Sequence, residues 1–228
     1  QNWFLNNSIK EPNLMNILDL VSLGTVCDVV PLIGINRAFV KQGLKILKNK
    51  KNLGLKTLIE VCNIESSLTS YHLGYVLGPR INAGGRVGQS THGANLLLNQ
   101  NPKNAFKLAA ELNIYNKERQ ILESELLKKI LSTDYQNNID PVIIIHGENW
   151  HEGIIGIIAA RVKEKFNKPT IIISVNNGIG KGSGRSIYGF DLGSTIIGAA
   201  QSGLLIKGGG HKRAVGFTIN MDKISEFK

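Results

Sequence analysis

VIIIHGENWHEGIIGIIAARVKEKFNKPTIIIS, residues 142–174, changes period twice. Val142 to Ile145 is a continuous β-branched run, the pattern of a strand buried on both faces. Residues 153–166 read as a helix, and Thr170 to Ser174 returns to a second buried strand. Strand, helix, strand in this order is an α/β unit. The same unit extends toward the C-terminus. Gly182 to Ser186 reads as the start of a third strand, 194–202 as a helix and 214–219 as a last strand. Toward the N-terminus the polar stretch Tyr135-Gln136-Asn137-Asn138 precedes the unit. Before it, residues 103–132 contain neither Gly nor Pro and predict one helix of about 45 Å, long enough to join two domains.

Upstream of that helix the pattern is helical throughout. Leu14, Ile17, Leu18 and Val21 carry helical spacing over 13–27, with an end expected near Gly24 to Cys27. Asn36 suits an N-cap for a helix over 37–47, and short helices are expected over 56–62 and 70–77. Residues 78–86, GPRINAGGR, read as a loop. The expected organisation is a helical part over 1–102, a connecting helix over 103–135 and a smaller α/β domain over 136–228.

Composition narrows the function classes. The chain has 228 residues, 42% of them hydrophobic, which excludes disorder as the main state. Its 25 glycines cluster in short segments without a period, which excludes a collagen-like chain. Cys27 and Cys62 stand far apart in apolar contexts, so neither a zinc site nor a disulfide framework is expected, and the reading is a reduced, cytosolic protein. No apolar run is long enough to span a bilayer. The start Gln-Asn-Trp-Phe, without an initiator Met, suggests a piece of a longer chain. The formal net charge of +10 points to a polyanionic partner. One basic stretch, Arg37, Lys41, Lys45, Lys48, Lys50, Lys51 and Lys56, reads equally well as a solvated helix face. The other, Lys181, Arg185, Lys207, Lys212 and Arg213, sits among glycines.

Four small-residue segments carry the candidate chemistry. In Gly24-Thr25-Val26-Cys27-Asp28 an acid closes an apolar helix, where it either ligates a hard cation or is a turn acid. In 78–86 the glycines let amides approach an anion that Arg80 and Arg86 could grip, or they simply make a turn. GKGSGRS, 180–186, lacks P-loop spacing. Its alternate glycines fit either a strand laid against a ligand, with Ser183, Arg185 and Ser186 pointing into it, or a packed strand without room for side chains. GGGHKR, 208–213, reads as a flexible loop in which the glycine amides, Gly209 and Gly210 included, surround His211, a potential phosphate donor. His151 precedes the 153–166 helix and reads most simply as an N-terminal contact.

Taken together, these segments resemble the DHH phosphoesterase superfamily and, within it, the RecJ family of single-stranded-DNA-specific exonucleases. LDLVSLGTVCDVVPLIGINRAFVKQGL resembles the last metal motif of a DHH domain, LGPRINAGGRV a phosphate-facing loop, and GENWHEGIIGIIAARVKEKFNKPTIII, GKGSGRSI and KGGGHKRAVGF successive pieces of a DHH-associated domain. The resemblance implies an α/β protein: the helical C-terminal part of a DHH domain joined by a long helix to a smaller α/β DHH-associated domain. It implies hydrolysis of single-stranded DNA from the 5′ end with Mn2+ or Mg2+ in a two-metal site. Asp28 then matches a metal-ligating and catalytic aspartate, with Asp19 as runner-up. Arg80, Asn82 and Arg86 match the phosphate-facing loop, Arg80 as a catalytic group as well. Ser183, Arg185, Ser186, Gly209, Gly210 and His211 match nucleic-acid-binding groups. The Asp-x-Asp and Asp-His-His motifs are not in this sequence, so most metal ligands are expected outside it. The implied enzyme is a cytoplasmic monomer without a membrane partner, with a single-strand-binding protein or a helicase as candidate protein partners. The alternatives are a small-nucleotide phosphodiesterase of the same superfamily and a non-catalytic nucleic-acid-binding module.

Overall fold

The β-branched runs form the adjacent strands β1 (Ile143–Glu148) and β2 (Thr170–Asn176), paired in parallel from Ile143↔Thr170 to Glu148↔Val175. The structure, a computed structural model, describes residues 12–49, 51–132 and 140–228. Lys50 of the first basic stretch, and Tyr135 to Asn138, lie outside them. The helix between the two strands is Glu152–Phe166; His151 caps it, its Nδ1 accepting the Gly153 amide at 3.1 Å. The chain divides into two compact units, Gln1–Asn116 and Lys117–Lys228.

In the first unit, described from residue 12, helices α1 (Leu18–Cys27), α2 (Gly34–Leu47), α3 (Leu53–Val61), α4 (Gly78–Val87) and α5 (His92–Leu98) surround a leucine-rich core. Leu23, Leu47, Leu55, Leu58, Leu73, Leu77, Leu96 and Leu112 are all buried there. A short 3-10 turn, Leu14–Ile17, leads into α1. Two expectations for this unit are corrected. Asn36 does not cap α2, which begins two residues earlier; its amide donates to Pro31 O instead. The segment 78–86 is not a loop. A π-helical turn, His72–Leu77, runs directly into α4, which carries the whole GPRINAGGRV sequence. Gly78 and Gly84 serve close packing there, since a side chain at Gly78 would collide with the Cys27 sulfur and one at Gly84 with Gln89 O.

The long helix, α6 (Pro102–Leu131), contributes residues to both units: Ala105, Ala109 and Leu112 to the first core, and Lys117 onward to the second unit. With the 152–166 helix numbered α7, Glu123 of α6 bonds Arg119 at 2.6 Å and Arg161 of α7 at 3.4 Å.

The second unit, described from Lys117 to 132 and from 140, is built on a five-stranded mixed sheet in the order β1-β2-β3-β5-β4. Strands β3 (Ile179–Arg185), β4 (Lys207–His211) and β5 (Ala214–Asn220) are antiparallel to their neighbours. Helix α8 (Leu192–Gln201) precedes β4, and α9 (Ile224–Phe227) ends the chain. Both glycine-rich segments of this unit are therefore strands. The third strand begins at Ile179, earlier than expected, and ends at Arg185. KGGGH, expected to be a flexible loop, is the edge strand β4.

Alternation along β3 assigns the two faces of the sheet. Gly180, Gly182 and Gly184 face α8 and a core of Ile171, Ile173, Leu192, Ile196, Val215, Phe217 and Ile219. Lys181, Ser183 and Arg185 face the side of α7, where Gly156 lies against Ser183 Oγ and Arg185 Nη2. Among the described residues no helix is long and apolar enough to cross a membrane.

Candidate nucleic-acid interface

Helix α7 packs on β2 and β3, and α8 packs on β4 and β5 from the opposite side. The α7-side face of β3, β5 and β4 carries nine positions in three rows, because residues paired across antiparallel strands point the same way. The rows are Arg185, Ala214 and His211; Ser183, Gly216 and Gly209; and Lys181, Thr218 and Lys207. The middle strand and the middle row hold only small side chains or none. Cationic or protonatable groups occupy the flanking strands at both ends. With strands about 4.8 Å apart, the flanking columns stand about 10 Å apart, and four residues along a strand span about 13 Å. The result is a shallow trough with a small-residue floor and basic sides.

The floor glycines differ from the others in these two motifs. Added side chains at Gly180, Gly182, Gly184 and Gly208 would run into Ile173, Phe217, Val215, Ile196 and their neighbours. Gly210, with φ 149°, would meet Ala214 O in the hairpin. Gly209 has open space where a Cβ would stand, and the nearest atom at Gly216 is 3.9 Å away. Packing therefore requires the core-facing glycines and leaves the two floor glycines unexplained. Alternate glycines in GKGSGR are thus spaces for neighbouring side chains, while Ser183 and Arg185 lie on the trough side.

The side chains of the trough are braced. Arg185 Nη1 donates to Gly184 O at 2.8 Å and Ser183 Oγ at 3.3 Å, and Lys181 Nζ donates to Thr218 Oγ1 at 3.3 Å. His211 is exposed beside the Lys212–Arg213 turn. Arg185 and His211 share the Ala214 row from either side of β5, so they meet at one end of the sheet. Ser186 is a correction: it is buried, and its hydroxyl donates to Phe190 O at 2.9 Å, so it braces a loop and does not face the trough. The Ser194 amide donating to Asp191 holds that carboxyl below the ordinary carboxylate range.

In the first unit, Arg80, Asn82 and Arg86 all lie on α4, where backbone amides are committed to helical bonds and cannot cradle an anion as a loop would. Asn82 and Arg86 are exposed. Arg80 is half-buried, its Nε donating to Asn113 Oδ1 at 2.8 Å and its Nη1 to Val76 O at 2.7 Å, so it ties α6 to the π-turn. Arg80→Ala is therefore expected to destabilise the protein by about 1.5–3 kcal/mol, the range for hydrogen bonds to a charged group. Thermal melting of Arg80→Ala, Asn113→Ala and the double variant checks this, with losses that are less than additive as the expected signature.

Asp19 is 2% exposed, and its Oδ1 accepts the Leu20 amide at 2.8 Å, whereas Asp28 is exposed just beyond the C-terminus of α1. Among the described residues no group of three or more His, Cys, Asp or Glu could hold a metal ion. A hard divalent cation takes about six donors, so these residues do not form a metal site by themselves. Cys27 and Cys62 are free thiols whose ionisation burial pushes up, as structural cysteines require.

Residues 139–228 match the DHHA1 domain. The chain is 38% identical to the single-stranded-DNA-specific exonuclease RecJ of Dickeya dadantii (strain 3937), over 99% of this chain and 41% of that protein. Its identity to RecJ of Escherichia coli (strain K12) is 37%, over 100% of this chain and 41% of the relative. RecJ of Thermus thermophilus, solved in complex with Mn2+, matches with a TM-score of 0.85 and 30% identity over 98% of this chain and 33% of that one. An exonuclease RecJ bound to manganese matches at a TM-score of 0.82 and 30% identity over 98% of this chain and 55% of that one. The chain thus spans about two fifths of the length of these two curated relatives. The same relatives match both units over almost every residue, so the chain is similar throughout to a segment of the RecJ exonucleases and carries a DHHA1 domain over 139–228.

Proposed function

We propose that this chain is part of a metal-dependent exonuclease that degrades single-stranded DNA in the 5′-to-3′ direction, and that its second unit holds the strand in the trough of β3, β5 and β4. The observation that carries the reading is the pair Gly209 and Gly216. Their lack of side chains meets no packing need, yet it brings bare backbone to the floor between Lys181, Arg185, Lys207 and His211. A phosphate backbone needs that combination of close approach and flanking cations. The helical segment 1–102 is read as the C-terminal part of a DHH domain, and 103–135 as its connection to the DNA-holding domain. Arg80, Asn82 and Arg86 are read as its phosphate-facing groups.

RecJ structures of Thermus thermophilus hold Mn2+ or Mg2+. In this chain Asp28 is the proposed donor, with Asp19 second. An acid just past a helix C-terminus lies at the negative end of the helix dipole, an arrangement a cation would relieve. Asp19 is already satisfied by the Leu20 amide. One donor does not make a two-metal site, and the remaining ligands are assigned to sequence outside the described residues. On this reading the enzyme works as a monomer in the cytoplasm on strands presented by a helicase or a single-strand-binding protein.

The test is binding of a labelled single strand and the matching duplex in metal-free buffer over a salt series. The three permanent cations of the trough predict a slope of log affinity against log salt of about −2, at ~0.7 per neutralised phosphate. Removing Lys181 and Lys207 together flattens the slope by about 1.4. Equal affinity for duplex, or a flat salt response, contradicts the reading.

A further inference from the structure

The Arg185–His211 end of the trough is closed by a loop that the strand-binding reading leaves without a role. Tyr188 is 90% exposed on it, more than any other large hydrophobic side chain among the described residues of this unit. A ring this exposed keeps a face open to a stacking partner. This ring is also held in place from below. Ser186 N donates to Arg213 O at 3.0 Å, and Leu192 N to Lys212 O at 3.1 Å, so both ends of the loop are pinned to the β4–β5 turn. Ser186 Oγ closes the loop on itself through Phe190 O. Gly189, with φ 90°, makes the turn beside Tyr188, and the Arg213 guanidinium lies 5.9 Å from the ring centroid. The ring is therefore exposed yet pre-positioned beside Arg213, on a loop that follows Arg185 and is pinned to the turn after His211.

We infer that Tyr188 is a stacking platform for one unpaired nucleobase at this end of the trough, a proposal that rests on the strand-binding reading. The cations hold phosphates, and the base attached to a held phosphate must lie somewhere. A flat ring backed by a guanidinium offers a base the contact it loses on leaving a helical stack, whatever its identity. A base inside a duplex is stacked on both sides and cannot use the ring. Tyr188 thereby adds strandedness selectivity to that of the trough itself.

The experiment measures binding of a labelled thymidine strand, the same strand with an abasic residue moved along it, and a duplex. It uses the full chain in metal-free buffer, with melting temperature as the folding control. Tyr188→Ala is expected to weaken single-strand binding about tenfold, within the range for one base–aromatic stack. Tyr188→Trp restores it, duplex binding does not move, and one abasic position abolishes the difference between Tyr188→Ala and the parent. If Tyr188→Ala binds normally while Arg185→Ala binds weakly, the platform is overturned and the trough stands; Tyr188 then belongs to a protein contact. If neither variant loses affinity, the trough reading falls and the platform with it. A tenfold loss that no abasic position reproduces also overturns stacking, because the ring then touches only the backbone.

Discussion

Arg185→Ala lowers single-strand affinity by about 30-fold, near the middle of the range for charge-assisted hydrogen bonds. The expectation follows from where the guanidinium sits. Its Nη1 is anchored by Gly184 O and Ser183 Oγ, so the planar fork is fixed before a strand arrives and little rotamer freedom is lost on binding. Arg185→Lys keeps the charge and loses the fork, so its affinity falls between the parent and Arg185→Ala. His211→Ala costs less than Arg185→Ala, because an imidazole presents fewer donors and carries a charge only when protonated. The two residues flank Ala214 in one row, so their effects are expected to be non-additive. Anisotropy titrations of the three variants and the double variant check this, alongside melting curves. An Arg185→Lys variant that binds like the parent would reduce the side chain's role to a point charge. Unchanged binding in both alanine variants, with folding intact, would remove the shared phosphate site.

The fold was legible where burial wrote a local pattern. Val142 to Ile145 and Thr170 to Ile173 are β-branched because β2 lies inside the sheet beside β1, and the helix between them covers one face. The long helix was legible from the lack of Gly and Pro over 103–132. Strands β4 and the start of β3 were not, because their glycines carry no hydrophobic alternation. The bulk that fills their face belongs to Phe217, Ile219 and Val215 on β5 and Ile196 on α8, outside the glycine-rich segments themselves. The same cause hid α4. Its three glycines and the early Pro79 read as a loop, yet Gly78 and Gly84 are there so that neighbouring segments can approach. Within the candidate site, Ser183, Arg185, Gly209 and His211 were found from their motifs. Lys181 and Lys207 came from the second basic stretch, whereas Gly216 and Thr218 join them only through the pairing register of β5, and Tyr188 only through the braced loop. No spacing rule in the sequence reports either.

Gly182→Ala separates the two kinds of glycine and is expected to damage folding, not binding. An added Cβ there would overlap the tip of the Phe217 ring, which is itself buried against Phe227 at 5.0 Å between centroids. The ring cannot withdraw without disturbing the cluster under α8, so the cost is that of overpacking, about 1–3 kcal/mol. At about 4–8 °C per kcal/mol for a domain of about 100 residues, the melting temperature falls by roughly 4 to 24 °C. Gly209→Val and Gly216→Val are the counterparts. Their positions are open, and a β-branched residue suits a strand, so both variants keep or raise the melting temperature. Both lose single-strand affinity, because a side chain on the floor holds the phosphate backbone away from the sheet. Measuring melting and binding on the same three proteins gives a crossed pattern if the assignment is correct. A Gly209→Val or Gly216→Val variant that binds like the parent would mean that the floor does not touch the strand. A Gly182→Ala variant as stable as the parent would mean that Phe217 has room to move and that the β3 glycines are not there for packing.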